Sequence, residues 1–312
     1  MSRRALRPYV ARFVFTASFT LLGSPFVHGG SIGLNTLNLV GTSQLITGNV
    51  VRLTDNTDPN LSAPPPAGGA WTTNTLNVAN AFTASFDFQM GNWAGIHDGA
   101  DGSGGDGIAF LIQNDFRGDT ALGEGAGGMG FLGIFNSVAI MLDTFQNNSP
   151  NYYGDPSGNY ISVNTRGTDF NVPHHFCTGG RLTADATIGS DLPGHEGDCT
   201  ANPTLGMTGN ITRLLDDGMV QNLTVNYVPG TLSIFLDGTL ILTVPLNLAT
   251  ELNLTDGGGA YLGFTAGTRN SYQDQDIVDF SFTSSVPEPA TGAELLAGIA
   301  LVALAARHKS KS

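Results

Sequence analysis

Short stretches in which apolar and polar residues alternate recur along this chain, and they constrain its fold more than any other feature. The clearest is FTASFDF at 82–88, where three phenylalanines and an alanine share one face. A period of two is typical of a β-strand, because successive side chains point to opposite faces of a sheet. Residues 107–113, GIAFLIQ, are apolar on both faces. Such a pattern predicts a central strand covered on both sides.

Residues 222–244 predict three consecutive antiparallel strands, since apolar residues alternate on either side of two turns. The turns are Pro229-Gly230 and Asp237-Gly238, and the second is a strong hairpin signal. Two more strands are expected at 260–267 and 276–282. Many short antiparallel strands joined by turns indicate an all-β fold, an antiparallel β-sandwich.

Longer connections separate these strands. Residues 62–69, SAPPPAGG, are expected to form an extended surface connection, and 165–213 to form a long loop insertion. Two cysteines, Cys177 and Cys199, lie in that insertion. In an exported protein they most simply form one disulfide. A zinc site with the three nearby histidines is the alternative, but the spacing matches no zinc framework that we can defend.

The two ends of the chain predict export. Residues 1–29 place four arginines before an apolar stretch and then small residues, the order of a secretory signal. Residues 286–312 run from Pro-Glu-Pro through a short apolar stretch to a basic end. That order resembles the PEP-CTERM sorting signal of Gram-negative bacteria, although a plain amphipathic tail is an alternative. The resemblance implies a short transmembrane helix, processing by a membrane exosortase, and a place in the cell envelope or extracellular matrix.

The intervening domain, 30–284, is strongly acidic. It holds six arginines and no lysine against 24 aspartates and glutamates, a formal net charge of −18. Such a surface repels nucleic acid and anionic lipid, so neither is expected as a partner. It suits an extracellular protein that binds cations.

The stretch SVAIMLDTFQN at 137–147 raises a question about Asp143, which ends an apolar run. A carboxylate buried there is costly to desolvate unless something pairs with it. Asp143, Asn147, Asp155 and the carbonyl of Phe145 could place four oxygens around one point. That donor set suits Ca²⁺ rather than zinc or copper. The plain alternative is that these Asp and Asn residues only make turns.

Four motifs occur in order along the domain: GGDGIAFLIQND, GGMGFLGIFNSVAIMLDTFQN, DPSGNYISV and GGGAYLGFTAGT. Together they resemble the L-type (legume-like) lectins over roughly residues 31–283. The resemblance implies a jelly-roll sandwich of the concanavalin type that binds glycans, here an exopolysaccharide or cell-surface glycan, with calcium and without catalysis. The resemblance is also compatible with a homo-oligomer.

The resemblance also assigns roles to single residues. Asp106, whose preceding peptide bond would be cis, would accept hydrogen bonds from two sugar hydroxyls, and Gly128 would donate its backbone N–H. Asn147 would give its oxygen to Ca²⁺ and its amide hydrogens to the sugar. Phe145 would give its carbonyl to the metal and its ring to the apolar face of a pyranose. The rim would be closed by Thr268 and Arg269.

Two departures from the plant pattern matter. Met141 and Tyr160 stand where plant members have metal ligands, and both are poor ligands for a cation at neutral pH, so we expect no transition-metal site. The loop before Asp155 is longer than in plant members, which makes Asn148 an alternative calcium ligand. Asp98 and Asp101 lack the spacing of a calcium loop and are expected to be solvated.

Two other functions compete with carbohydrate binding. A glycoside hydrolase on a similar sandwich needs two carboxylates that flank the scissile bond. The domain has only three glutamates, Glu124, Glu196 and Glu251, and none lies on a predicted strand with a partner carboxylate. A structural matrix protein that keeps calcium but no sugar site is the third hypothesis.

Overall fold

The computed structural model describes residues 26–57, 64–98, 104–147, 155–173 and 204–286, with side chains from Gly30 to Ser285. Residues 1–25 of the predicted signal segment, the predicted disulfide and the predicted sorting tail beyond Val286, with its transmembrane helix, lie outside these residues, whereas residues 26–29 of the predicted signal segment belong to the first strand. Within the described residues, no helix is both long enough and apolar enough to cross a bilayer.

The described chain consists almost entirely of strands. In chain order they are β1 (Phe26–Ser31), β2 (Asn38–Gly41), β3 (Gln44–Ile46), β4 (Val50–Thr54), β5 (Ala67–Trp71), β6 (Leu76–Asn77), β7 (Phe82–Gly95), β8 (Gly107–Gln113), β9 (Ser137–Asp143), β10 (Tyr160–Thr165), β11 (Thr204–Met207), β12 (Gln221–Val228), β13 (Gly230–Leu236), β14 (Thr239–Leu246), β15 (Gly259–Gly267) and β16 (Ser271–Val286). One helical turn, α1 (Leu248–Glu251), and three 3₁₀ turns join them, at Leu34–Thr36, Gly118–Thr120 and Ala126–Gly128.

The strands form two eight-stranded sheets. The back sheet has the order β14-β13-β12-β7-β16-β4-β3, with β1 also paired to β16. The front sheet has the order β11-β10-β9-β8-β15-β5-β2, with β6 also paired to β15. Neighbours along both paths run antiparallel. The predicted antiparallel β-sandwich is therefore confirmed.

The main core lies between the sheets, and a second apolar cluster covers the other face of the front sheet. Strand β8 contributes to both, as its sequence predicts. Its residues Ile108, Phe110 and Ile112 belong to the main core. Ala109 and Leu111 belong to the second cluster. The central strand is thus buried on both faces, with every residue of β8 inaccessible to solvent.

The second cluster holds the segment between β8 and β9 against the front sheet. Phe131 and Met129 of that segment pack with Met141 and Trp71 of the sheet. The indole N–H of Trp71 donates to the carbonyl of Ala121 at 2.7 Å. The apolar packing and the hydrogen bond together fix the position of the following 3₁₀ turn, Ala126–Gly128.

The predicted surface connection at 62–69 is wrong in its last three residues, which begin strand β5. Gly68 and Gly69 are buried there, and a Cβ on Gly68 would collide with the carbonyl oxygen of Leu53. A glycine run carries no alternating pattern, so this strand could not be recognised from periodicity. It exists because the two sheets approach each other closely at this point.

The predicted loop insertion at 165–213 contains a strand. β11 pairs with β10, where Ser162 lies opposite Met207 and Val163 opposite Gly206. The part between 174 and 203, including both cysteines, lies outside the described residues.

An aromatic cluster at the centre of the core predicts a large cost for truncation. The ring of Phe264 lies 4.9 Å from Phe86, 5.1 Å from Phe280 and 5.5 Å from Phe110. We expect Phe264→Ala to lower the free energy of unfolding by about 3–5 kcal/mol, because it removes these contacts and leaves a cavity. Urea unfolding measures this cost. The control Met219→Ala, at a side chain that is 62% exposed, should change stability by less than about 0.5 kcal/mol.

Candidate functional site

Several strand ends meet at one edge of the front sheet. Gly107 at the start of β8 lies opposite Asp143 at the end of β9 and opposite Gly267 at the end of β15. Tyr160 at the start of β10 also lies opposite Asp143. Neighbouring strands are about 4.8 Å apart, so the residues just beyond these ends converge on one small region.

Asp106 is held by its backbone on both sides. Its N–H donates to the carbonyl of Gly267 at 2.8 Å, and its carbonyl accepts from Thr144 at 3.1 Å. The Gly105–Asp106 peptide bond is cis, as the resemblance implied. Asp106 is 7% exposed. Its position is therefore set by β15 and by the residue that follows β9.

Asp143 is buried, with 1% exposure, at the end of β9. Its Oδ1 accepts the backbone N–H of Phe145 at 2.9 Å. Burial raises the pKa of Asp143 well above its usual value, and the nearby carboxylates of Asp155 and Asp106 raise it further. The repulsion between these carboxylates favours a cation near Asp143.

Asp155 lies beside Asn147, so the longer loop still brings this ligand candidate into the site. Its Oδ2 accepts the backbone N–H of Asn147 at 2.8 Å, and its Oδ1 accepts the hydroxyl of Tyr160. Carboxylate oxygens have spare lone pairs after accepting one hydrogen bond each, so both can also face a metal. The alternative ligand, Asn148, lies outside the described residues.

Asn147 gives the sharpest sign of an absent partner. Its Oδ1 is buried and accepts no hydrogen bond from any described residue. A buried amide oxygen without a donor costs about 1–3 kcal/mol. A Ca²⁺ ion held by Asp143, Asp155, this oxygen and the Phe145 carbonyl would satisfy it, so the donor set fits calcium. No three histidine, cysteine or acidic side chains of the described residues form a metal-binding group by themselves.

Met141 and Tyr160 are the two residues that depart from the plant pattern. Met141 packs in the second apolar cluster. Burial, with the charges of Asp143 and Asp155, raises the pKa of Tyr160 well above its usual value. Tyr160 therefore stays protonated at neutral pH and donates to Asp155. It orients the carboxylate of Asp155, which the sequence did not indicate.

Gly128 lies in the 3₁₀ turn beside the site, but its N–H is already used. It donates to the carbonyl of Gly125 at 3.0 Å. A Cβ on Gly128 would meet Leu132 and Glu124 at 3.1 and 3.2 Å, so its face points inward. This N–H therefore takes part in the hydrogen bonding of the 3₁₀ turn, and its donation to a sugar stays a prediction.

Thr268 and Arg269 follow β15 at the same edge. Thr268 is 2% exposed, and its carbonyl accepts the N–H of Ala126 at 3.3 Å. Its own N–H donates to Pro66 at 3.2 Å. Arg269 is partly exposed and donates its backbone N–H to Ser271 at 3.1 Å. Thr268 therefore joins the loops, whereas the side chain of Arg269 is accessible at the rim.

Two residues to which the sequence assigned no role in the site support it. Asp98 was expected to be solvated, and that expectation is wrong. Its Oδ2 accepts the backbone N–H of Gln146 at 2.8 Å. The side-chain amide of Gln275 donates to the carbonyls of Gly105 at 3.0 Å and Gly267 at 3.3 Å. Neither role carries a sequence signal, because both depend on contacts between distant parts of the chain.

Gln275 predicts a measurable structural effect. Gln275→Ala should lower the free energy of unfolding by about 1–3 kcal/mol, because two buried carbonyls lose a donor. Urea unfolding measures the change, and Gln44→Ala at an exposed position of β3 is the matched control. A change no larger than the control's would show that Gln275 does not hold the Asp106 loop.

Comparison with known proteins places the chain in a family. A family model described as a legume lectin domain matches residues 31–296. Lectin II from Ulex europaeus is 17% identical, over 84% of this chain and 100% of that one, with a TM-score of 0.56. Basic winged bean lectin with Tn-antigen has the same identity and coverage and a TM-score of 0.55. The exoplasmic/lumenal domain of VIP36, in a Ca²⁺/Man3GlcNAc-bound form, is 18% identical over 83% and 88%, with a TM-score of 0.53.

These identities show a shared fold alone, but the family match covers most of the chain. The described sandwich agrees with that fold in its two antiparallel sheets. This protein belongs to the legume lectin domain family.

Proposed function

We propose that this chain is an exported lectin that binds carbohydrate through a calcium ion and catalyses no reaction. The family match supports carbohydrate binding. The VIP36 domain, whose solved form contains Ca²⁺ and Man3GlcNAc, supports calcium as the metal.

The buried Oδ1 of Asn147 carries the proposal. Asn147 donates its backbone N–H to Asp155 and is itself partly exposed. Its Oδ1 would bind the ion while its amide hydrogens donate to a sugar hydroxyl. Calcium binding and sugar binding are then coupled through one side chain.

The other residues would complete the recognition of a sugar. Asp106 would accept hydrogen bonds from hydroxyls, since its carboxylate lies close enough to the site to raise the pKa of Asp143. The partly exposed ring of Phe145 would stack on the apolar face of a pyranose. When bound, calcium supplies the positive charge that offsets the carboxylates and fixes the loop from Phe145 to Asn147.

The geometry favours binding over hydrolysis. A glycosidase needs one carboxyl group to protonate the leaving oxygen and another to reach the opposite face of the sugar. Asp143 is buried and Asp155 is held by Asn147 and Tyr160. Such carboxylates suit a metal site, because they are fixed in place and turned away from solvent.

The ligand class and location rest on the sequence. We propose a glycan of the cell surface or an exopolysaccharide matrix, with export by the predicted signal and processing of the tail by an exosortase. The acidic domain supports neutral glycans or cation-bridged matrices over nucleic acid.

Binding to a glycan array in millimolar calcium and again in EDTA tests the function. The expected result is a set of glycans that bind in calcium and whose binding is lost in EDTA, which defines the calcium-dependent ligands. Absence of calcium-dependent binding, with a melting temperature still raised by calcium, would contradict the lectin proposal and favour a structural matrix protein.

A further inference from the structure

A cavity lies at the end of the front sheet opposite the candidate calcium site. Its volume is about 590 Å³, within the range of small-molecule sites. Gln113 and Tyr261 pair at this end of β8 and β15, whereas Gly107 and Gly267 pair at the calcium end. Six residues of strand span about 20 Å, so the two sites are separate.

Two aromatic rings face this cavity. Phe116 is 84% exposed, the largest value among the exposed apolar side chains of the described chain. Its ring is steadied by Phe135 at 6.0 Å and by the guanidinium of Arg117 at 5.5 Å. Tyr261 lines the cavity beside Gly118, where a Cβ would touch its ring at 3.6 Å. An aromatic ring held in this way, yet open to water, is a ready stacking surface.

The rest of the lining is polar. Hydroxyl, amide and carboxyl groups surround the rings, and no aliphatic side chain occurs among the lining residues that the structure describes. A saccharide presents C–H faces that stack on rings and hydroxyls that both donate and accept hydrogen bonds. Among the lining residues, the exposed polar side chains that could form such hydrogen bonds are those of Thr73, Asn74, Thr255 and Asp256.

The cavity is held rigid by a network of asparagines. The side chain of Asn114 donates to the carbonyl of Asn253 at 2.8 Å. Asn253 donates its N–H to Oδ1 of Asn136 at 2.8 Å, and Asn136 donates back to the carbonyl of Asn114 at 3.0 Å. A site that is already ordered loses less entropy when a ligand binds.

The charges favour a neutral ligand. Asp115 binds the guanidinium of Arg117 through both carboxylate oxygens at 2.8 Å, so that cation is neutralised. Asp256 adds an exposed carboxylate to the lining. An anionic sugar would therefore be repelled.

We propose that this cavity binds one unit of a neutral oligosaccharide, with Phe116 as the stacking ring and without calcium. It is a second carbohydrate site, about a strand's length from the first. A chain with two such sites can cross-link glycans as a monomer.

Binding of the full chain to an array of neutral oligosaccharides in EDTA tests this site. We expect binding that survives EDTA and falls about fivefold to tenfold in Phe116→Ala, because stacking on one ring contributes about 1 kcal/mol. Phe116→Tyr should keep the binding, since it keeps the ring. Met219→Ala, another exposed apolar side chain, should have no effect.

The test separates this site from the calcium site. Asn147→Ala should remove calcium-dependent binding and leave the binding in EDTA unchanged. If no neutral oligosaccharide binds in EDTA, or if Phe116→Ala binds as well as the unmodified chain, the second site is overturned. Neither result bears on the calcium-dependent site, which is tested separately by Asn147→Ala and Asp106→Asn.

Discussion

Asp106→Asn is expected to weaken calcium-dependent glycan binding by about 100-fold or more, while the melting temperature in calcium changes little. A carboxylate that accepts two sugar hydroxyls contributes about 1.5–3 kcal/mol for each hydrogen bond, and an amide keeps only one acceptor oxygen. The backbone hydrogen bonds of Asp106 to Gly267 and Thr144 do not involve its side chain. The fold of the loop should therefore survive.

Calorimetric titration with a glycan taken from the array measures this loss, and differential scanning calorimetry measures the stability. Asp279→Asn, at an exposed position of β16, is the matched control and should bind normally. If Asp106→Asn loses stability in calcium to the same extent as it loses binding, Asp106 is structural and the assigned role is wrong.

The second large effect concerns Asp143 and calcium. In the unmodified protein, calcium at about 100 times its dissociation constant should stabilise the fold by about 2.7 kcal/mol. For a domain of this size that raises the melting temperature by roughly 5–10 °C. Asp143→Asn should abolish most of this increase, because the proposed ligand is a buried carboxylate whose position is fixed at the end of β9.

The pH dependence of the same measurement has a definite sign. The pKa of Asp143 is raised in the metal-free fold by burial and by the charges of Asp155 and Asp106. A raised carboxyl pKa means that the folded chain binds the proton more tightly than the unfolded chain. Stability in EDTA should therefore fall as pH rises through that pKa. The gain from calcium should grow over the same range, since protons compete with the metal.

Melting temperatures in EDTA and in calcium, between about pH 5 and pH 8, measure both trends. Asp279→Asn again serves as the control and should follow the unmodified protein. A calcium-induced increase that is the same at every pH, or that persists in Asp143→Asn, would show that Asp143 does not ligate the ion.

The strands that could be predicted are those whose faces differ in polarity. The alternation at 82–88 and the two turns within 222–244 specify local structure directly, and the structure has β7, β12, β13 and β14 there. Strand β5 was missed because its glycines have no side chain to alternate. It is defined by the close approach of Gly68 to Leu53, which is a contact between strands.

The residues of the candidate site likewise include some that the sequence indicated and some that it did not. Asp143 and Asn147 were found because a carboxylate after an apolar run is unusual and because the motif resembles a known family. Asp98 and Gln275 were not, since Asp98 contacts Gln146 and Gln275 contacts the Gly105 carbonyl, and both partners are distant in the chain. The role that the motif assigns to Gly128 stays a prediction, and its N–H also donates within its own turn.

A crystal structure of the protein grown in calcium chloride, with the ion located by its anomalous signal, tests the central claim most directly. We predict one ion bonded by Asn147 Oδ1, the Phe145 carbonyl and the carboxylates of Asp143 and Asp155, at about 2.3–2.6 Å. An ion elsewhere, or an Asn147 oxygen that contacts only protein or water, would contradict the proposal that calcium positions this loop for a sugar.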